Sequence, residues 1–455
     1  MDSSEIKITD EGLDTLIFLG KFILLERLKI EGLIWGNEFV WLNQNNEIVF
    51  ILTNDAEGDK TEIIRKDYEL LFSKMLSIST AYAIDAVAKE YPAIKNSYSD
   101  IVIIGANIID VTGNDSVLNN SMVVIHNGKI NYVGKIDTLQ ISVNAYKIIG
   151  LGKYLLPGLW DMHAHLMQVD WLPKYISQGV TTVRDCGNEF DFINALQKKI
   201  EDKEIIGPQI IKAGLIDGVS KNALGIMQVN KKVDAINMVN KYNVSGFAQI
   251  KIYSNVKPRI LKVICKEAHR LNMMVTGHIP IGITASSAIK IGLDIVSHIS
   301  HLSNSLLMSN SDLKLSDKRT KQFIKTMQES KTVIDPTLSV FENADSYYVK
   351  NISNYKFLVN RLNQLGIPII AGTDMNSGGI GAELNAYIDA GFSKLQAIRS
   401  ATIIPAQIMK MDNYLGSIEI GKAGNMILID GNPLDNIQNI KNVKVVVKGA
   451  QVYKY

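Results

Sequence analysis

Cysteine is almost missing from this chain of 455 residues; Cys186 and Cys265 are the only two. Two thiols cannot build a disulfide framework, so the scaffold of small secreted domains is excluded and two buried, unpaired thiols are expected. Long apolar runs are lacking too. The stretch Leu16–Leu25 is short and broken by Lys21, whereas a membrane span needs about 20 apolar residues. The start, Met1 to Glu5, carries Asp2 and Glu5 where a secretory signal would be basic. A cytoplasmic location is expected for the chain as it stands, and a periplasmic or secreted one if a signal once preceded it. No excess of charge exists in either direction, with Lys+Arg 48 against Asp+Glu 46. That balance offers no footprint for nucleic acid and leaves a small molecule as the expected partner. Assembly into a homo-oligomer is left open.

An apolar fraction of 46% suffices for a sizeable core, and the length exceeds one compact domain. Residues 1–98 read as an accessory α+β segment: Phe39–Leu42 and Ile48–Leu52 flank the turn-rich Asn43–Asn46 as a hairpin, and Asp67–Tyr91 has helical spacing. From 99 to 156 the text is β, with Asn127-Gly128 supplying the positive φ of a tight hairpin turn. Similar β text returns at 413–455, so one small split β-sandwich domain is expected from the two pieces. Between them, 157–412 alternates strand and helix. Eight candidate strand ends fall at His163, Arg184, Ala213, Lys251, His278, His298, Pro336 and Asp374. Eight such units predict a (β/α)8 TIM-like barrel, whose active site is built at the C-terminal ends of its strands.

Only seven histidines occur, and four of them sit at those ends: His163, His165, His278 and His298. Lys251 and Asp374 complete the series. His163-Ala164-His165 directs two imidazoles to one side of an extended strand. A lone pair of this kind is a weak sign; in company with two later histidines and a strand-end aspartate it reads as a metal centre rather than a set of satisfied core histidines. Imidazole and carboxylate donors suit Zn2+, with Mn2+, Fe2+, Co2+ or Ni2+ as alternatives. Lys251 is the odd member. As an ammonium it would repel a metal, so it either pairs with an acid, reaches solvent, or takes up carbon dioxide as a carbamate that bridges two metals. Tyr253, two residues on, is a candidate substrate contact. His301 is a candidate contact or a loop residue. Arg184 is read either as a substrate contact or as an internal brace, together with Asp185.

The segments Leu156–His165, Gly179–Asp185, Ala371–Asp374 and Gly416–Lys422 resemble the signature of the amidohydrolase superfamily, in particular its imidazolonepropionase-like and prolidase-like branch. The resemblance spans residues 99–455. It implies that His163, His165 and Asp374 hold a buried metal, that His278 and His298 hold a second, and that carbamylated Lys251 bridges both. It further implies a metal-bridging hydroxide as nucleophile, with Asp374 as general base and then acid. The implied enzyme is a hydrolase of carbon–nitrogen bonds other than peptide bonds, or a prolidase-like dipeptidase. Its expected substrate is a dipeptide, an N-acyl amino acid or a cyclic amide. Rival expectations on the same fold are a mononuclear deaminase and an organophosphate or lactone hydrolase; relatives of the deaminase type carry Glu in place of Lys251. A non-catalytic scaffold should have lost ligands, and none of the six is lost. Three positions depart from the pattern: Asn425 and Ser297 stand where many relatives carry Asp and Glu, and the loop Asn376–Gly381 lacks a histidine often found there.

Overall fold

The computed structural model describes residues 5–455 apart from 33–36, 55–59, 91, 93–96, 114–116, 137–141, 168–170, 222, 225–226, 304–305, 307, 310–311, 314–316, 343–345 and 375–378. Two compact units emerge. One comprises Met1–Ala93 with Leu166–Pro173 and Glu189–Ile206; the other comprises Ile94–His165, Lys174–Asn188 and Gly207–Tyr455.

In the first unit, strands Lys7–Phe18, Lys21–Glu31, Asn37–Leu42, Ile48–Asn54 and Lys60–Ile64 form an antiparallel sheet in chain order. The hairpin expected around Asn43–Asn46 is its centre. The two long strands before it were not legible as strands, because their apolar residues do not alternate cleanly with polar ones. The helical stretch Lys66–Glu90 is long and apolar enough to cross a membrane by length and composition alone. Its Leu71 and Met75 pack with Leu25, Phe39, Trp41 and Phe50 in this unit's core, so it serves there as a core helix. Asp14 ties the first strand to its surroundings. It accepts from Arg27 at 2.7 Å, Trp41 Nε1 at 2.7 Å and Tyr82 OH at 2.8 Å.

The second unit contains the barrel. Its parallel strands are Leu159–Ala164, Val180–Asp185, Gln209–Gly218, Gln249–Ile252, Met274–Gly277, Ile295–Ser297 and Val333–Asp335, in that spatial order. These match seven of the expected strands. The eighth, expected at Pro368–Asp374, is not a regular strand. Ile369 bridges Ile334 on one side, and Met162 N donates to Ala371 O at 2.8 Å on the other. Below that bond the ladder is interrupted by the end of helix Lys394–Ser400: Ala371 N donates to Ser400 O at 2.9 Å and Trp160 N to Ala401 O at 2.8 Å. The eighth segment therefore almost closes the barrel without completing the ladder.

Strands from either side of the barrel in sequence share one eight-stranded sheet, in which Tyr154–Pro157 pairs with Met426–Ile429 antiparallel and with Asp100–Ile109 parallel. The expected tight turn is present, with Asn127 at φ 49° and Gly128 at φ 77°. Ile101, Ile103, Ile125, Leu155, Leu428 and Val447 form this sheet's core.

Candidate metal centre

Strand alternation sends Asp161 and His163 to the inside of the first barrel strand, and His165 continues the line just past its end. Lys251 lies one residue before the end of the fourth strand, His278 just past the fifth and His298 just past the sixth. Asp374 ends the eighth segment. His298 and Asp374 adopt left-handed backbones, at φ 65° and 51°, a conformation that side-chain-bearing residues favour only where the surroundings impose it. For Asp374 the anchor is its own N–H, which donates to His163 O at 2.7 Å.

These residues converge. Asp374 Oδ1 lies 3.4 Å from His163 Nε2 and 3.3 Å from His165 Nε2; together they form a group that could hold a cation. Lys251 Nζ is 3.2 Å from His163 Nε2 and 3.2 Å from Ser297 Oγ. His278 Nε2 and His298 Nε2 face each other at 3.2 Å.

A single pattern runs through the four imidazoles. His163 Nδ1 is 2.6 Å from Asp335 Oδ2 and His165 Nδ1 is 3.1 Å from Gly187 O. His278 Nδ1 is 3.1 Å from Ser254 Oγ and His298 Nδ1 is 2.9 Å from Thr337 Oγ1. Each partner can accept an Nδ1–H, which leaves each Nε2 with a free lone pair; His298 differs in that its Nδ1 also lies 3.6 Å from Asp374 Oδ2. Two such lone pairs at 3.2 Å repel unless a cation or a proton lies between them. Burial holds His163, His278 and His298 well below the ordinary imidazole pKa, helped by the nearby Lys251, so these rings present themselves as neutral donors. His165 differs: burial disfavours its charged form, but the hydrogen bond and charge of Asp374 outweigh that and raise its pKa. Asp374 stays ionised, because the fields of His163, His165 and Lys251 and the His165 hydrogen bond outweigh its burial. The donor set thus fits divalent metal ions.

Lys251 is fully buried, and burial lowers its pKa against the opposing fields of Cys186, Asp335 and Asp374. A shift toward the neutral amine is what carbamylation requires, since only the free amine attacks carbon dioxide. A second group of potential ligands, His163, Cys186 and Asp335, lies beneath the centre. It suits a cation poorly, because Asp335 already binds Arg184 at 2.7 Å and burial pushes the Cys186 thiol up to about 11.

Arg184 requires a correction. It is fully buried and donates to Asp335 Oδ2 at 2.7 Å, Met162 O at 2.5 Å, Gln249 Oε1 at 3.2 Å and Thr276 Oγ1 at 3.3 Å. It is an internal brace and is withdrawn from the expected substrate contacts. Its ionic partner is Asp335 across the barrel. Asp185, pointing to the opposite side of the strand, accepts instead from Gly187 N and Asn188 Nδ2, each at 3.2 Å. Tyr253 and His301 flank the centre: their rings lie 4.4 Å and 5.0 Å from that of His278. Residues 376–378 of the loop Asn376–Gly381 lie outside the described residues.

Two buried acids were missed by the sequence reading. Asp335 orients His163 and carries Arg184, and burial raises its pKa to about 6. Asp161 accepts from His163 N at 3.1 Å, Thr373 N at 3.0 Å and Thr373 Oγ1 at 2.6 Å, stitching the first strand to the eighth segment. The period-two row Asp161, His163, His165 was a usable signal for the latter.

Residues 154–452 match the Amidohydrolase family, and the chain belongs to that family. It is a hydrolase of the amidohydrolase class. Ochratoxinase from Aspergillus niger is 22% identical over 428 residues, covering 78% of this chain and 87% of that protein. The 5-methylthioadenosine/S-adenosylhomocysteine deaminase of Symbiobacterium thermophilum is 21% identical, covering 72% and 85%. Among solved structures, a Xaa-Pro dipeptidase with methionine bound in its active site superposes with a TM-score of 0.66 at 23% identity, covering 78% of this chain and all of that one. At that identity the likeness extends to the fold.

Proposed function

We propose that the protein is a two-metal amidohydrolase that cleaves an amide-type C–N bond in a small molecule: a dipeptide, an N-acyl amino acid or a cyclic amide. The observation that carries this reading is the convergence of four imidazoles, Asp374 and a buried Lys251: His163 and His165 meet Asp374 through Nε2, and the Nε2 atoms of His278 and His298 face each other. His163, His165 and Asp374 would hold one ion, His278 and His298 the other, and Lys251 as its carbamate would join both. Divalent ions bound there would supply an activated water at neutral pH and polarise the scissile carbonyl. Asp374, ionised in its resting state, would accept the proton of the attacking water and return it to the departing nitrogen. Tyr253 and His301, beside His278, are the side chains best placed to touch the substrate.

The relatives named ochratoxinase and Xaa-Pro dipeptidase support the substrate class. The curated deaminase relative supports a one-metal alternative, against which Lys251 argues. Metal analysis of protein purified without chelator, with bicarbonate present, separates the two. Two equivalents per chain that drop sharply in Lys251→Ala are expected. One equivalent, unchanged by that substitution, would redirect the substrate screen to deamination.

A further inference from the structure

The turn after the seventh barrel strand contains a β-branched residue in the left-handed region, Thr337 at φ 50°. Such a residue persists there only where neighbours fix it. Its hydroxyl is 2.9 Å from His298 Nδ1, nearer to that nitrogen than Asp374 Oδ2 at 3.6 Å, and His298 is itself left-handed. The two backbones are laced together, His298 N donating to Asp335 O at 2.8 Å and Ile299 N to Pro336 O at 3.2 Å. What holds the turn on its far side is Glu383, a fully buried carboxyl in helix Ile380–Ala390. Glu383 Oε1 accepts from Leu338 N at 2.9 Å and Oε2 from Ser339 N at 2.7 Å. Both are the amides that immediately follow Thr337. A buried carboxyl is expensive unless it is hydrogen-bonded, and here each oxygen accepts a backbone N–H of this one turn, with Tyr387 of the same helix as a further partner.

We propose that Glu383 is a positioning residue for the second metal. It pins the strained Thr337 turn, and the Thr337 hydroxyl then fixes the rotamer and tautomer of His298 so that Nε2 is the ligating atom. The inference rests on the reading of His298 as a ligand. It predicts site selectivity: weakening this chain of contacts loosens the ion on His278 and His298 and spares the one on His163, His165 and Asp374.

The test is zinc titration of metal-free protein by calorimetry, with metal counting after dialysis. Wild type should take two equivalents. Thr337→Val, which keeps the shape and removes the hydroxyl, should weaken the second equivalent by roughly 10–100-fold, leave the first unchanged, and be rescued by Thr337→Ser. Glu383→Gln, which turns an amide N–H toward one of the two backbone donors, should do the same; Glu383→Asp, whose shorter arm cannot reach both, serves if the glutamine variant does not fold. Wild-type affinity for both ions in Thr337→Val, or in a folded Glu383 variant, overturns the proposal. Equal loss of both ions overturns it as well, because that marks a general structural role. A wild-type protein that takes up no metal would instead sink the reading of His298 as a ligand.

Discussion

Asp374 concentrates most of the site's demands in one residue. It touches His163 and His165 through its carboxylate, holds a left-handed backbone, and is tied to the first strand by its amide. Asp374→Asn retains shape and hydrogen bonding but removes the base, so kcat should fall by roughly 10²–10⁴-fold while circular dichroism and Tm stay near wild type. Retained turnover would end its assignment to proton transfer. His301 provides a pH signature. Burial, with the field of Lys251, lowers its pKa to about 4, below the ordinary 6.5. An unfolded chain therefore binds the proton more readily, and the stability held above pH 6.5 is lost as pH falls toward 4. In thermal melts across that window, His301→Gln should lose Tm less steeply than wild type; parallel curves would show that His301 does not titrate as described. The candidates were visible in the sequence; their partners were not. His163 and Lys251 could be picked out as strand-end polar groups, but Asp335 could not, because its partner His163 is 172 positions away in sequence.

Among the elements, the eighth segment is the most constrained by packing. A Cβ on Gly372 would lie 2.6 Å from Asp335 Oδ1 and 2.7 Å from His163 N. Gly372→Ala must push against a backbone amide and a buried acid. A loss of about 1–3 kcal/mol is expected from overpacking, with weakened metal uptake, read by chemical denaturation and metal analysis. The segment reads as a strand in sequence because Pro368–Ala371 is apolar; it is irregular because the end of helix Lys394–Ser400 takes its outer hydrogen bonds. In the N-terminal sheet, Asp14 is the carboxylate on which Arg27, Trp41 and Tyr82 converge. Asp14→Ala strands the buried Arg27 guanidinium and should cost about 3 kcal/mol, seen as early unfolding of this unit by tryptophan fluorescence. A fluorescence transition identical to wild type would contradict that account.

Across the whole molecule, ligand binding should couple to stability. Ions that bind only the folded barrel add about 4 kcal/mol at a thousandfold excess over Kd. Chelation should therefore lower Tm, and added Zn2+ should restore it; a Tm indifferent to both would exclude a metal centre of this kind. The sequence by itself determined the barrel class and the polar residues at its strand ends, because strand periodicity and residue chemistry are local properties. It also determined the tight turn at Asn127-Gly128, where backbone sterics act over two residues. Only the tertiary structure decided which nitrogen of each histidine faces inward, that Arg184 braces Asp335 instead of meeting a substrate, and that the Lys66–Glu90 helix is a core element. Those outcomes depend on acceptors and apolar partners supplied by distant parts of the chain, and no local pattern encodes a contact between them.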